Sequence, residues 1–486
     1  MRSALVPMAL VAGLVSGCSL APPYRQSTMP IADRYPMGDD TGAHATSKVA
    51  WQDYFGDPRL RAYIAAALAN NRDLAAAAAR IDEAHANFRI QNAQRLPELD
   101  LGGSRTRSQT PVSVLESQAG AVTPTGAATS ITSDLYGAQV GVTAFELDLW
   151  GRVRNLSEAQ RRQYLASVEG ADAFRLALIS EIASTYLSIV AGEEGIALAQ
   201  QTLDARLEGA SIAKLRLDAG VTSTVDFDQS ALLVSQAQSQ LADLQRSTEQ
   251  ARNALTVLVG GPITAALPAG RSIADQNLLG AVDAGLPSDL LVNRPDVRQA
   301  EQNLRAANAD IGAARAAFFP AISLTGNYGY ESPALSNLFK SASQAWLYGG
   351  TVDLPIFDWG RRKAALDLTK AQQQELTATY QKTVQTAFRE VSDALVARQR
   401  LAQEISAFED TVKSNSSLAD ATELRYQNGV STYLEVLDAR RNLFSAQQAL
   451  IQLKSNALQN SVTLYIALGG DRETSAHDLR LAKSAH

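Results

Sequence analysis

The sequence predicts a mainly α fold with a small β part, laid down as a tandem duplication. Three observations carry that reading. The stretch Tyr426–Gly470 repeats Leu217–Gly261 at a shift of 209 without a gap, and ten of 45 positions are identical, among them Gly220/Gly429, Val221/Val430 and Gly260-Gly261/Gly469-Gly470. The same shift lays Trp150-Gly151-Arg152 on Trp359-Gly360-Arg361, so one register holds from residue 150 to 261. Apolar residues then recur every 3.5 positions over long proline-free runs, which means left-handed coiled-coil packing. Finally, in each copy the period drops to two, the mark of strands. A unit of about 200 residues is far longer than a solenoid repeat.

The elements follow in order. Arg2 and the apolar run Ala4–Val15 read as a signal peptide over 1–17, too short to span a bilayer. Residues 18–50 are polar and rich in Pro, Gly, Ser and Thr, and read as an N-terminal linker. The first repeat occupies 51–261. Asp57-Pro58 caps a helix that is expected to run to about Arg95. A β-hairpin over 97–149 follows, with strands expected at Pro97–Arg107 and Leu135–Leu149 and a loop at Ser108–Asp134.

Next come a long helix over 152–216, a turn at Gly220 and a short helix over 224–258. Residues 262–288 connect the copies at the equator. The second repeat, 289–470, has a helix from Pro295, a hairpin over 320–357, a long helix over 361–425, a turn at Gly429 and a short helix over 433–467; 471–486 is a tail. Its hairpin strands are expected at Pro320–Tyr330 and Trp346–Phe357. The coiled-coil seam reads Tyr380, Val384, Ala387, Val391, Ala394, Leu401, Ile405, Phe408 and Val412 in the second copy, with Arg398 as its one polar entry. In the first it reads Leu178, Ile182, Thr185, Ile189, Gly192, Ile196, Ala199 and Leu203.

Composition excludes several functions. A net charge of −6 and the lack of a basic stripe argue against nucleic-acid binding. Cys18 is the single cysteine, so there is no internal disulfide and no thiolate metal site. The four histidines, His44, His85, His477 and His486, are scattered, and no metal or cofactor is expected. Ser211-Ile212-Ala213-Lys214 matches a serine-nucleophile pattern, but its companion motifs are missing and a solvated helix face is the better reading. Glu146 and Asp148 read as lumen-facing or interfacial carboxylates, and no catalytic constellation emerges.

Four strands per chain are about as long as tilted strands that cross a bilayer. Four cannot close a barrel, and an open edge cannot face lipid. If the hairpins enter a membrane, the chain must oligomerise until the barrel closes.

Leu286–Gly329 resembles the signature of the TolC-type outer-membrane efflux proteins, in the branch of lipoproteins similar to OprM and NodT. The resemblance rests on Arg294-Pro295-Asp296, Ala300-Glu301, Ala306-Ala307-Asn308-Ala309, Ile311-Gly312 and Phe319-Pro320, with Trp51–Pro58 and Tyr426–Leu437 in support. It implies a homotrimer with a twelve-stranded outer-membrane barrel continued by a periplasmic α-helical barrel. The implied partners are an inner-membrane RND-type pump, a periplasmic adaptor and outer-membrane lipid. The implied work is passage of drugs or other small solutes, without enzymatic activity. Val15-Ser16-Gly17-Cys18 resembles a bacterial lipoprotein signal, which implies that Cys18 carries lipid, palmitate included. Ser19 then points to the outer membrane.

The resemblance also implies a periplasmic gate at the second turn, at Arg425, Tyr426, Asp438 and Arg441. The acids Asp226 and Asp228 stand near the first turn. The tips Gly220, Val221, Gly429 and Val430 are where an adaptor would dock. A ring of acids around a bore repels itself and collects cations; ordinary solvated coiled-coil charge is the alternative. Two other functions stay open at this point: a duct for type I protein secretion, with the same fold, and a non-channel coiled-coil lipoprotein acting as a spacer.

Overall fold

A computed structural model describes residues 19–25, 31–35, 49–112, 130–263, 266–276, 278 and 293–470. Cys18 and the tail lie outside them. The order is α1 (Trp51–Tyr54), α2 (Pro58–Asn70), α3 (Arg72–Ala93), β1 (Asp100–Pro111), β2 (Ser130–Glu146), α4 (Arg152–Asp218) and α5 (Thr224–Val259). The second repeat follows with α6 (Pro295–Ala316), β3 (Ala321–Ser332), β4 (Gln344–Asp353), α7 (Arg361–Gln427) and α8 (Tyr433–Ala467). The fold is mainly helical with one small sheet, as expected. The chain forms two compact units, one of 1–26, 83–164 and 302–377, the other of 27–82, 165–301 and 378–486. Each draws on both repeats.

The first unit holds the sheet, antiparallel in the order β1-β2-β3-β4. Both hairpins are present, but their bounds differ from the reading of the sequence. β1 runs on to Pro111 and β2 already starts at Ser130, because Ser108, Gln109 and Thr110 pair with Ser133, Thr132 and Ile131. Cross-strand side-chain bonds, Ser108 to Ser133 and Gln109 to Ser130, keep this polar stretch in the ladder. β4 stops at Asp353 rather than reaching Phe357, ahead of Pro355, which has no backbone donor. A bulge between Val142 and Phe145 adds one residue to β2 against β3. At the helical end, Ala159, Ala306 and Ala309 form a core of small residues. There the segment after Ser19 is held by Ser19 to Asn155 (2.9 Å), Asn308 to the Pro22 carbonyl (2.8 Å) and Arg305 over the Tyr24 ring (4.7 Å).

The second unit carries the larger core. Leu60 and Ile64 of α2 are fully buried, worth about 1.5–3 kcal/mol each. The helix expected to run unbroken from Pro58 to Arg95 is interrupted at Asn71. Its backbone is extended there; its Oδ1 accepts from Leu74 N (2.8 Å) and caps α3, while its Nδ2 donates to the Leu258 carbonyl (2.8 Å). A polar residue that can satisfy its own helix start and a neighbour's end favours the break.

Asp57 is the polar centre of this unit. Its Oδ1 accepts from Arg59 N (2.7 Å), and its Oδ2 accepts from Tyr186 Oη (2.8 Å), Gln276 Nε2 (2.8 Å) and Arg271 N (3.0 Å). Burial works to raise its pKa, but these four donors outweigh it and hold the carboxyl below its ordinary value. Arg294 is buried and reaches Asp296 (2.7 Å), Glu390 (2.8 Å) and the Ala467 carbonyl (3.1 Å). The Arg-Pro-Asp signature therefore ties the start of α6 to α7 and to the end of α8. Tyr54 stacks on Tyr465 at 4.1 Å.

Of the seam residues, Tyr380, Val384, Ala387, Val391, Ala394, Leu178, Ile182, Ile189, Ala199 and Leu203 are buried, whereas Leu401, Ile405, Phe408 and Val412, with Thr185, Gly192 and Ile196, are only partly buried. Each long helix is 67 residues and runs two residues past the expected end, roughly 100 Å at 1.5 Å per residue.

Candidate functional site at the two helix turns

The two turns close by the same local chemistry. Gly220 (φ 70°) and Gly429 (φ 71°) occupy the left-handed region that glycine enters without cost. Val221 N donates to the Arg216 carbonyl and Gly220 N to the Leu217 carbonyl, both at 2.9 Å; Val430 and Gly429 make the same bonds to Arg425 and Tyr426 at 2.9 Å. These are Schellman closures of α4 and α7. Ser223 and Thr432 then cap α5 and α8, the latter through a reciprocal box with Glu435. Gly220, Val221, Gly429 and Val430 are exposed at the two tips.

The expected site residues divide. Tyr426 is half-buried, and its hydroxyl accepts from Arg216, whose guanidinium lies over the same ring at 5.4 Å. Tyr426 also packs on Tyr433 at 5.1 Å between ring centres. Asp438 and Arg441 pair with each other within the chain (2.8 Å, three residues apart), with both side chains more than half exposed. Arg425 is exposed. Asp226 accepts from Thr222 and sits in the first turn of α5, while Asp228 is exposed. Of the candidate chemistry set aside earlier, Lys214 pairs with Asp218, four residues on.

Reading the sequence missed the cross-repeat partner. Arg216 is the first copy's counterpart of Arg425, yet it bonds the second copy's tyrosine. It also missed Arg440, which holds Glu423 of α7 at 2.9 Å, and Tyr433. Above this layer a cavity of about 200 Å³ is lined by Leu198, Leu233, Leu437 and Phe444, with Arg206 and Arg440 on its polar side. Arg206 donates to the Leu233 carbonyl (2.9 Å) and lies over the Phe444 ring (5.8 Å). Burial lowers its pKa, and nearby Arg441 lowers it further. Burial raises the Tyr433 phenol, against a hydrogen bond with Ser230 and the charge of Arg440. The layer is thus cationic and aromatic, and it links α4, α5, α7 and α8 at the end where the chain reverses twice.

Two blocks of the sequence, 63–261 and 286–470, match the family model described as outer membrane efflux protein. The chain belongs to the outer membrane efflux protein family. Among relatives, the probable efflux pump outer membrane protein TtgC of Pseudomonas putida is 40% identical over 97% of this chain and 96% of its own length. Outer membrane protein OprJ of Pseudomonas aeruginosa is 38% identical, over 95% and 94%.

Solved structures agree. The Neisseria gonorrhoeae MtrE outer membrane channel, described in its open state, superposes with a TM-score of 0.83 at 36% identity, over 93% of this chain and 98% of that one. The Campylobacter jejuni CmeC outer membrane channel gives 0.86 at 25% identity, over 96% and 99%. The family is one of outer-membrane efflux proteins, not an enzyme class, and this chain is an outer-membrane member of it.

Proposed function

We propose that three copies of this chain join into a twelve-stranded barrel, four strands from each, which forms the exit duct of a tripartite efflux system. A sheet with two open edges carries this reading: lipid tolerates no unpaired edge, so membership of an outer-membrane family requires the edges to meet other copies. An inner-membrane RND-type pump supplies the solute, and a periplasmic adaptor docks at the tips Gly220-Val221 and Gly429-Val430. Relatives named for toluene, solvent and antibiotic efflux make small apolar solutes the expected cargo. The chain performs no chemistry on them. Cys18 carries lipid and anchors the N-terminus.

The periplasmic mouth is held shut by Arg425, Tyr426, Asp438 and Arg441, with Asp226 and Asp228 adding negative charge. The tyrosine–arginine bond and the Asp438–Arg441 pair are links made within one chain, and the exposed Arg425 and Asp228 reach neighbours around the bore. Deleting the gene should sensitise cells to apolar antibiotics and toluene several-fold, with full rescue by the parent gene. Amine cross-linking in native membranes should give a ladder ending at trimer. Unchanged sensitivity with its partner pump expressed refutes the efflux role. A ladder ending at dimer or tetramer refutes the stoichiometry.

A further inference from the structure

The two faces of the sheet differ, and the apolar one ends in a pair of arginines. Side chains alternate between faces along each strand, and residues directly opposite share a face. One face carries Ser104, Gln139, Thr325, Asn327 and Thr351. The other carries Leu101, Val140, Tyr328 and Trp346, which stand in one row across all four strands, with Tyr348 and Val352 on rows nearer the helices. All six of these apolar and aromatic residues are exposed. A membrane strand pair with one polar and one apolar face turns the apolar face to lipid.

That face ends at a defined height. Ile322 and Ser332 lie ten residues apart on β3, about 34 Å of strand at about 3.4 Å per residue. At a tilt of about 40° this rises about 26 Å, the height of the apolar band of an outer-membrane barrel. Ser332 stands opposite Tyr136, and Tyr136 opposite Arg105; Arg107 is one row further, opposite Asp134. The arginines therefore begin where the apolar band stops, with Tyr136 and Tyr330 at the level of an aromatic girdle. The chain joins the sheet to its helices at Asp100, Glu146, Ala321 and Asp353, so Arg105 and Arg107 lie toward the opposite, hairpin-turn end. With the helices on the periplasmic side, this is the outer-leaflet end. Arg105 lies over the Tyr136 ring at 5.5 Å and reaches Asp134 at 3.3 Å, with more than half of its side chain exposed. Arg107 is exposed and pairs with no carboxylate among the described residues. Glu331 lies opposite Gly137, on the polar face. Two guanidinium groups thus meet one carboxylate.

We infer that Arg105 and Arg107 bind the phosphate of a lipid in the outer leaflet, whose acyl chains lie along the apolar face beneath them. The inference rests on the barrel proposed above, since closing the sheet is what sets one face against lipid. The chemistry fits a phosphate monoester on a glycolipid headgroup. Such a group carries more than one negative charge at neutral pH and presents several acceptor oxygens, and the guanidinium fork takes two of them at once. The Tyr136 ring holds the Arg105 guanidinium at headgroup level. Arg107 is the free arm, its methylene stem lying along the apolar surface while its charge reaches the headgroups. Asp134 offsets one of the two positive charges, so it competes with the phosphate for Arg105.

The test uses the full-length chain, purified as its oligomer in mild detergent. It is titrated with bisphosphorylated lipid A, with the same lipid dephosphorylated, and with inorganic phosphate, and bound lipid is counted by native mass spectrometry. The parent should bind the phosphorylated lipid, and Arg105→Gln/Arg107→Gln should bind it about 30-fold more weakly, the effect of two basic residues beside an anionic lipid surface. The dephosphorylated lipid should bind parent and variant alike. Asp134→Asn removes the competing carboxylate and should tighten binding several-fold; unchanged or weaker binding there means that charge does not hold the lipid and overturns the proposal. Equal binding of the phosphorylated lipid by parent and double variant, with the oligomer intact, overturns the site and leaves the barrel standing. Displacement of the lipid by an equimolar amount of inorganic phosphate makes the site one for the free anion and overturns the lipid reading. Absence of any oligomer in the parent overturns the barrel and the site with it.

Discussion

Replacing Tyr426 by Phe deletes one hydroxyl and nothing else. The ring stays on Tyr433 and under the Arg216 guanidinium, so packing is preserved. The loss is the hydrogen bond that Arg216 donates. A net intramolecular hydrogen bond contributes about 0.5–1.5 kcal/mol, more with a charged donor in a dry site. Both partners are half-buried, so the ordinary range applies. In a symmetric trimer three such bonds are lost together, about 1.5–4.5 kcal/mol at the mouth. At 1.4 kcal/mol per factor of ten, this shifts the closed-to-open ratio about 10- to 1000-fold.

Single-channel recording in planar bilayers should show larger or longer openings for Tyr426→Phe. Cells carrying it should become sensitive to a large antibiotic that the outer membrane normally excludes. Arg216→Ala should behave alike. Asp438→Ala and Arg441→Ala remove a pair of exposed charges three residues apart, worth about 0.2–0.5 kcal/mol within one chain. A larger change in conductance or cation preference from these two would mean that they act across subunits. Conductance and uptake identical to the parent in Tyr426→Phe and Arg216→Ala, with oligomer yield unchanged, would refute the tip layer as the closure.

Two further outcomes are expected. Asp57→Asn puts an amide among four donors and should cost about 2–4 kcal/mol of stability. Because the folded carboxyl titrates below its ordinary value, the stabilisation it contributes is complete above the unfolded value of about pH 4 and is lost as pH falls further. Acid melting of the parent should therefore show a limb below about pH 4 that the variant lacks, and equal limbs would contradict the assignment. Cys18→Ser in a gene that retains the signal should abolish labelling by a fatty-acid probe, while persistent labelling would exclude lipid at Cys18.

Much of the architecture was legible in the sequence because it depends on short-range periodicity. A 3.5-residue spacing needs no partner to be recognised, and Tyr380, Val384 and Val391 lie in the core where it put them. Glycine at 220 and 429 marks the turns, since a left-handed closing residue favours it whatever packs nearby. The duplication, too, is a property of the string alone. At the candidate site it was the family resemblance, not periodicity, that pointed to Tyr426, Asp438 and Arg441; the last two, three residues apart on one helix, pair in the structure.

The rest needed the tertiary structure, because it depends on residues distant in sequence. Nothing local says that Arg216 bonds Tyr426, 210 positions on, rather than leaving its counterpart Arg425 to do so. The break at Asn71 is decided by a carbonyl 187 residues away, and the hub at Asp57 by Tyr186, Arg271 and Gln276. β1 and β2 extend through a stretch whose composition reads as loop, because cross-strand bonds form only once the hairpin has closed. The bulge in β2 is likewise seen only against β3, a strand from the other repeat. Composition and period are set one residue at a time; pairing is set by which surfaces the folded chain brings together.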